Sequence, residues 1–223
     1  MLPVLDQQWD VTPKESVAIQ RELLPRLVCA DSGCDWRLVA GIDVGIKGDV
    51  ARAAIAVLSF PQLELVDQSL AERPVSFPYV PGLLTFREAP VVLDALAKLE
   101  STPDVLIFDG QGYAHPRRMG IATHLGIVLD HPSVGCAKSR LVGHHDEPGE
   151  KRGDYALLHH GYKDQPEEVI GAVLRTRTRV KPVYVSIGHR MTLERSIELV
   201  LACGGGVRLP EPTRRAHRLA SGV

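Results

Sequence analysis

One short run of residues limits the possible folds of this chain more than any other feature. The stretch Val105–Phe108 consists of four consecutive apolar residues and ends at Asp109 and Gly110. A run without alternation is typical of a strand that is buried on both faces of a parallel sheet. Because parallel strands need long crossover connections, usually helices, we expect strand–helix–strand units around this run.

Three strand candidates come in quick succession before this run, and the breaks between them are short enough for antiparallel hairpins. They are Leu38–Val44, Val50–Phe60 and Leu63–Glu72. Apolar residues at helical spacing predict a helix over Leu83–Leu99, perturbed by Pro90, and another that ends at about Leu129. The other expected elements are strands at Ser133–Cys136, Ala156–Leu158, Val169–Arg177 and Pro182–Ile187, and helices at 13–29, Thr192–Ala202 and after Pro212.

This order predicts an α/β protein with a mixed central sheet flanked by helices. We expect a single domain over residues 1–223, with an N-terminal helix at about 13–29, a core at about 37–203 and a C-terminal segment at 207–223. Strand–helix–strand segments imply right-handed parallel crossovers. Ribonuclease-H-like folds share this order, but a fold does not determine a function.

Composition excludes several classes of protein. There are 26 basic and 27 acidic residues, so the net charge of −1 does not attract a polyanion, and nucleic-acid binding would need local basic clusters. The four cysteines, of which only Cys29 and Cys34 are close in sequence, fit neither a disulfide scaffold nor a zinc site. The N-terminus lacks a signal-peptide pattern, and no apolar stretch approaches the ~20 residues of a membrane span. We therefore expect a soluble, cytoplasmic protein with reduced thiols and no membrane partner.

Three acidic residues occupy unusual positions. Asp43 follows the apolar run Leu38–Ile42, Asp109 follows Val105–Phe108, and Glu88 lies on the predicted helix after a proline-rich loop. If the two strands are parallel neighbours, their carboxylates come within reach of one metal ion. Mg²⁺ prefers such oxygen ligands, so the set suits metal-assisted phosphodiester hydrolysis. The alternative is structural, because an acid after a strand is often a turn-former and Glu88 could be a solvated helix residue.

Basic and aromatic groups accompany these acids. Arg117 and Arg118 follow the Asp109 loop, and Lys138 follows the strand that ends at Cys136. Phosphate binding needs such donors. Tyr79 stands among prolines, which would hold its ring in a stiff loop as a stacking wedge requires, although a tyrosine buried in loop packing is the alternative.

Several motifs in a fixed order carry a family resemblance. In chain order they are Gly41-Ile42-Asp43-Val44-Gly45, Pro78-Tyr79-Val80-Pro81-Gly82, Phe86-Arg87-Glu88, Asp109-Gly110-Gln111-Gly112, His115-Pro116-Arg117-Arg118, Gly135-Cys136-Ala137-Lys138-Ser139-Arg140-Leu141, Gly188-His189 and Leu209-Pro210-Glu211-Pro212-Thr213-Arg214. With these motifs, from about residue 10 to the end, the sequence resembles the endonuclease V family.

The resemblance implies a ribonuclease-H-like fold and a Mg²⁺-dependent DNA-repair endonuclease, with Mn²⁺ able to substitute. The implied partner is DNA that contains deoxyinosine, with single-stranded nucleic acid or inosine-containing RNA as further partners. The implied cut is at the second phosphodiester bond on the 3′ side of the lesion and leaves 3′-hydroxyl and 5′-phosphate ends. We expect a monomer.

The resemblance also assigns roles to residues. It implies Asp43 and Asp109 as metal ligands, Glu88 as the third catalytic acid, Lys138 at the scissile phosphate and His217 as the C-terminal histidine near the metal. Tyr79 would be the wedge, and backbone groups around Gly82-Leu83 and Gly110–Gly112 would line the base pocket. The residues expected to contact nucleic acid are Pro78, Tyr79, Pro81, Gly82, Leu83, Gly110, Gly112, His115, Arg117 and Arg118.

One position departs from the family pattern. Many members carry histidine between the two glycines after the second aspartate, where this chain has Gln111. An amide forms hydrogen bonds but does not titrate near neutral pH as imidazole does. Two alternatives stay open: a nuclease for inosine-containing RNA or branched DNA, and a non-catalytic nucleic-acid-binding module.

Overall fold

A computed structural model describes residues 1–31, 33, 35–161 and 166–222, so Cys34 lies outside the described residues. The strands are β1 (Leu38–Lys47), β2 (Val50–Ser59), β3 (Leu65–Pro74), β4 (Val105–Phe108), β5 (Ser133–Ala137), β6 (Tyr155–His160), β7 (Glu168–Leu174) and β8 (Val183–His189). The helices are α1 (Pro13–Leu23), α2 (Leu84–Leu96), α3 (Ile121–Leu129), α4 (Leu193–Ala202) and α5 (Glu211–Ser221), with a 3₁₀ helix at Leu24–Arg26.

The strands form one mixed sheet in the order β3-β2-β1-β4-β5-β8-β7-β6. The first three strands form antiparallel hairpins, β4 is parallel to both β1 and β5, and the remaining pairs are antiparallel. The expected mixed sheet flanked by helices is therefore confirmed. The central β1-β4-β5 segment places three parallel carboxyl ends side by side.

Strand β4 contributes to both cores of the molecule. Leu106 and Phe108 pack with the apolar residues of α2 and α3, whereas Val105 and Ile107 pack with those of β8 and α4. All four side chains are essentially inaccessible to solvent. Full burial on both faces is what the uninterrupted apolar run predicts, because successive side chains of a strand point to opposite faces.

Several element boundaries differ from the sequence prediction. The first helix ends at Leu23 and tightens into the 3₁₀ turn at Leu24–Arg26, so the predicted span to about residue 29 is too long. The turn contains Pro25, which cannot donate a backbone hydrogen bond. Strand β1 continues past Val44 to Lys47, since β2 pairs with it along its whole length. Strand β6 is longer than predicted, and β7 ends at Leu174 rather than Arg177.

Glycine at position 41 allows α5 to lie directly on β1. A Cβ atom at Gly41 would be 2.0 Å from the backbone carbonyl carbon of Pro212, at the start of α5. No side chain larger than hydrogen fits that gap. The C-terminal helix therefore reaches the strand that carries Asp43.

Among the described residues, no helix is both long enough and apolar enough to cross a membrane.

Candidate active site

Asp43 and Asp109 lie side by side in the central sheet. In the parallel pairing of β1 with β4, Ile42 is opposite Phe108, and the amide of Asp109 donates to the carbonyl of Ile42 at 2.9 Å. Asp43 directly follows Ile42, and Asp109 directly follows Phe108. The two aspartates are therefore in register, and both side chains leave the same face of the sheet. Asp43 is inside β1 rather than at its end, and it marks the point where the shorter neighbour β4 stops.

Helix α5 adds a third potential ligand. Nδ1 of His217 lies 2.7 Å from Oδ2 of Asp43. One donor atom from each of Asp43, Asp109 and His217 falls within 4.8 Å of the others, and no other such group of histidine, cysteine or acidic residues occurs in the part of the chain that the structure describes. Two carboxylates fit a hard divalent cation such as Mg²⁺ or Mn²⁺, and the imidazole adds a nitrogen donor.

Lys138 supplies the nearest positive charge. It is the first residue after β5, and its Nζ lies 2.5 Å from Oδ2 of Asp109. The Asp109 side chain is only 7% exposed. Burial raises the pKa of Asp109 above its ordinary value, while the hydrogen bond from Lys138 acts in the opposite direction. The lysine thus compensates charge at a carboxylate that solvent hardly reaches.

Glu88 is the third acid of the site. It lies in the first half of α2 and is partly buried. Burial, together with the negative charges of Asp43 and Asp109, raises the pKa of Glu88 to about 8. Glu88 is close enough to feel both aspartates but is not in the group of three ligand atoms. The reading of Glu88 as a solvated helix residue is wrong.

A cavity of about 360 Å³ adjoins the acids. Asp109 and Lys138 border it on one side, and the loop with Tyr79, Pro81 and Gly82 borders it on the other. Tyr79 is 73% exposed, so the alternative of a tyrosine buried in loop packing is wrong. The cavity is large enough for a small planar ligand and opens beside an exposed aromatic ring.

His115 fixes the Tyr79 side of the cavity. Its Nδ1 accepts hydrogen bonds from the amides of Arg117 and Met119, so its Nε2 carries the proton and donates to the carbonyl of Gly82 at 2.9 Å. Burial, with Arg117 adding to it, lowers the pKa of His115 to about 4. The ring is therefore neutral at pH 7. The side chains of Arg117 and Gln20 also donate to the Gly82 carbonyl, which anchors this loop.

Comparisons with known proteins identify the family. The family model of endonuclease V matches residues 21–218. The chain belongs to the endonuclease V family. Endonuclease V of Roseiflexus sp. (strain RS-1) is 55% identical over 97% of this chain and 95% of its own length. The crystal structure of endonuclease V from Streptomyces avermitilis superposes with a TM-score of 0.90 at 40% identity and covers 100% of this chain and 97% of that one.

A third similar structure contains DNA. It is a variant of the Ciona intestinalis endonuclease V in complex with a 23mer DNA that contains an inosine followed by a ribo-adenosine. It superposes with a TM-score of 0.81 at 28% identity, covering 95% of this chain and 98% of that one. These relatives confirm the ribonuclease-H-like fold and the assignment as an endonuclease.

Gln111 connects two segments on the Asp109 and Lys138 side of the cavity. Its Nε2 donates to the carbonyl of Ser139 at 2.8 Å, and its Oε1 is buried without a protein partner. It therefore ties the loop after Asp109 to the segment after Lys138. A histidine at this position would have a different reach and donor pattern.

Some residues predicted to contact nucleic acid lie behind the cavity wall. Arg118 is 8% exposed, and its guanidinium is bonded to Glu168, His160 and the carbonyl of His115. The prediction that Arg118 binds phosphate is not compatible with this burial. A Cβ at Gly112 would be 2.2 Å from the carbonyl of Ile187, so this glycine serves close packing. Leu83 is likewise buried, in an apolar cluster with Phe77 and Phe86.

The sequence analysis missed part of the cavity lining. Thr85, Ile121 and Leu141 line the cavity, and buried Gln20 of α1 supports its rim. A glutamine on a buried helix position could have been noticed, because buried polar side chains need specific partners. Leu141 ends one of the motifs, whereas Thr85 and Ile121 carry no signal in the sequence beyond their place near the motifs.

Proposed function

We propose that this member of the endonuclease V family uses Mg²⁺ to cut DNA that contains deoxyinosine, at the second phosphodiester bond on the 3′ side of the lesion. The products would be 3′-hydroxyl and 5′-phosphate ends, and Mn²⁺ would replace Mg²⁺. The observation that carries the proposal is the convergence of Asp43, Asp109 and His217 next to a base-sized cavity that has Tyr79 at its rim. The inosine-containing DNA bound by the Ciona relative supports the choice of substrate.

The acids and the lysine would carry the chemistry. Asp43 and Asp109 would hold the cation, with His217 against Asp43. The bound ion would neutralise charge and polarise the scissile phosphodiester. Lys138 would exchange its contact with Asp109 for the phosphoryl oxygens, where negative charge grows. Glu88, when ionised, would orient the attacking water and accept its proton.

The cavity would select the damaged base. Extruding a base from a duplex costs a few kcal/mol, and the cost is least for a poorly paired base such as hypoxanthine. The exposed ring of Tyr79, held between Pro78 and Pro81, would fill the gap that the base leaves. The base would enter between the Gly82 loop and the Gly110 loop, whose backbone groups face the cavity.

Inosine-containing RNA is a second candidate substrate. In the Ciona complex a ribo-adenosine follows the inosine, so a ribonucleotide next to the lesion fits the site of a relative. We further propose that the protein acts as a monomer.

A gel assay tests the proposal. End-labelled strands with one deoxyinosine, one riboinosine in RNA, or no lesion are incubated with the protein in Mg²⁺, Mn²⁺ or EDTA, and the products are mapped against size markers. We expect a Mg²⁺-dependent nick only in the strands that contain inosine. The cut should be at the second phosphodiester bond on the 3′ side of the inosine. Equal cutting of the undamaged strand, or binding to inosine DNA without any cut, would contradict the proposal.

A further inference from the structure

Two side chains from distant parts of the sequence hold the backbone at Lys138. Arg208, between α4 and α5, donates from Nη2 to the carbonyl of Lys138 at 2.5 Å. Gln111 donates from Nε2 to the carbonyl of the next residue, Ser139, at 2.8 Å. Lys138 follows Ala137, the last residue of β5 that pairs with β8. The two side chains thus act at the point where the pairing of the sheet stops.

Arg208 is itself fixed in place. Its Nη2 and Nε also donate to the carbonyl of Pro182, at 2.8 and 3.3 Å, and Pro182 directly precedes β8. The hydroxyl of Thr176 donates to the backbone carbonyl of Arg208 at 2.6 Å. A planar guanidinium presents its donors in a rigid fork, so it holds the two carbonyls at a fixed separation. Arg208 therefore bridges the end of β5 to the start of β8.

The placement of this backbone matters because lysine is long and flexible. The ammonium of Lys138 reaches Asp109 through four methylene groups, and its position depends on where the chain is anchored. We propose that Arg208 and Gln111 are positioning residues that fix the Lys138 backbone and so place its ammonium for the reaction. The inference rests on the proposed function, in which Lys138 acts on the scissile phosphate.

The first test measures single-turnover nicking of deoxyinosine DNA by Arg208→Ala, Arg208→Lys and Gln111→Leu. A displacement of about 1 Å in a reacting group can lower the rate ~100-fold, so we expect the rate constant to fall about 10- to 100-fold in Arg208→Ala. The affinity for DNA should change little, because Arg208 does not line the cavity. Arg208→Lys should restore only part of the rate, because an ammonium lacks the rigid fork.

The matched control is Arg175→Ala. Arg175 also donates to loop carbonyls, those of Gly149 and Val180, but it has no contact with the cavity. Its loss should leave the nicking rate unchanged. Circular dichroism and thermal melting check that each variant is folded. If Arg208→Ala does not fold, Arg208→Lys provides the test, because Gln111 lines the cavity and Arg208 does not.

A double-mutant cycle decides whether Arg208 acts through Lys138. If it does, adding Arg208→Ala to Lys138→Ala changes the remaining rate by less than about twofold, because residues that act as a unit are not additive. A folded Arg208→Ala with the wild-type rate would overturn the inference and leave the proposed function intact. The same would follow if Arg208→Ala lowered the rate of Lys138→Ala by the factor by which it lowers the wild-type rate. A wild-type protein that leaves inosine DNA intact, or Lys138→Ala at full rate, would overturn the proposed function and the inference with it.

Discussion

Replacing Gly41 by alanine should displace α5 and the histidine that it carries. The added Cβ would lie 2.0, 2.2 and 2.3 Å from three backbone atoms of Pro212 and Thr213. These atoms belong to the helix start and cannot rotate away as a flexible side chain would. Ordinary contact begins at about 3.4 Å, so β1 and α5 must separate by more than ~1 Å.

The magnitude follows from this separation. Forced overpacking in a core costs about 1–3 kcal/mol, which corresponds to a fall in Tm of about 2–12 °C for a chain of this size. His217 follows Pro212 by little more than one helical turn and contacts Asp43 at 2.7 Å. A shift of ~1 Å at the reacting groups would lower the nicking rate about 100-fold. Gly41→Ala should therefore lose both stability and activity.

Gly45 offers a matched control on the same strand. A Cβ there would meet the other end of α5, with its nearest atom, the carbonyl oxygen of Ala220, at 3.5 Å, an ordinary contact. Gly45→Ala should therefore melt and cut like the wild type. Differential scanning calorimetry and the inosine nicking assay check both variants. A Gly41→Ala protein with wild-type Tm and rate, or equal losses in the two variants, would refute the packing argument.

Three further predictions concern the site and its surroundings. Asp43→Ala and Asp109→Ala should each abolish nicking in Mg²⁺ while gel-shift binding of inosine DNA persists; full activity in either would remove the metal-site assignment. Tyr79→Ala should weaken binding of an inosine duplex about 10-fold, as loss of one stacking contact of ~1–3 kcal/mol predicts, and unchanged affinity would exclude a wedge. Stability in urea should fall as pH drops from about 6.5 toward 4, because burial lowers the pKa of His115 to about 4 and of His124 to about 3, so the unfolded chain takes up protons that the folded chain does not. The variant His124→Phe should flatten this slope, and an unchanged slope would contradict the assignment.

The centre of the fold could be predicted from the sequence because its signals are local. The apolar run Val105–Phe108 indicates a strand buried on both faces, and the short breaks before it indicate hairpins. Parallel neighbours then bring Asp43 and Asp109 together without any knowledge of their side-chain contacts. In this region the pattern of apolar residues and the topology agree.

The rest depends on contacts between residues far apart in the chain. Arg118 looks like a phosphate-binding residue beside Arg117, but Glu168 and His160, which follow it by 50 and 42 residues in the chain, hold its guanidinium in a buried position. The length of β1 depends on its partner β2 rather than on its own composition. The contact of Arg208 with Lys138 spans 70 residues and has no signature in either segment.

The charges of the site lead to a last prediction, that cation binding releases a proton from Glu88. Without a cation, three carboxyl groups share a poorly solvated region, and the pKa of Glu88 is raised to about 8 by burial and by Asp43 and Asp109. Glu88 is therefore mostly protonated at pH 7. A divalent cation between the aspartates offsets their charge and lowers the pKa of Glu88, which then loses its proton.

Calorimetry measures this release directly. Mg²⁺ or Mn²⁺ is titrated into the protein at pH 7 in buffers with different ionisation enthalpies, and the dependence of the observed heat on the buffer gives the number of protons released. We expect close to one proton for the wild type and markedly fewer for Glu88→Gln, with binding retained because Asp43 and Asp109 are unchanged. Equal release by both proteins would mean that the proton comes from another group, and no release by the wild type would mean that Glu88 is already ionised in the free site.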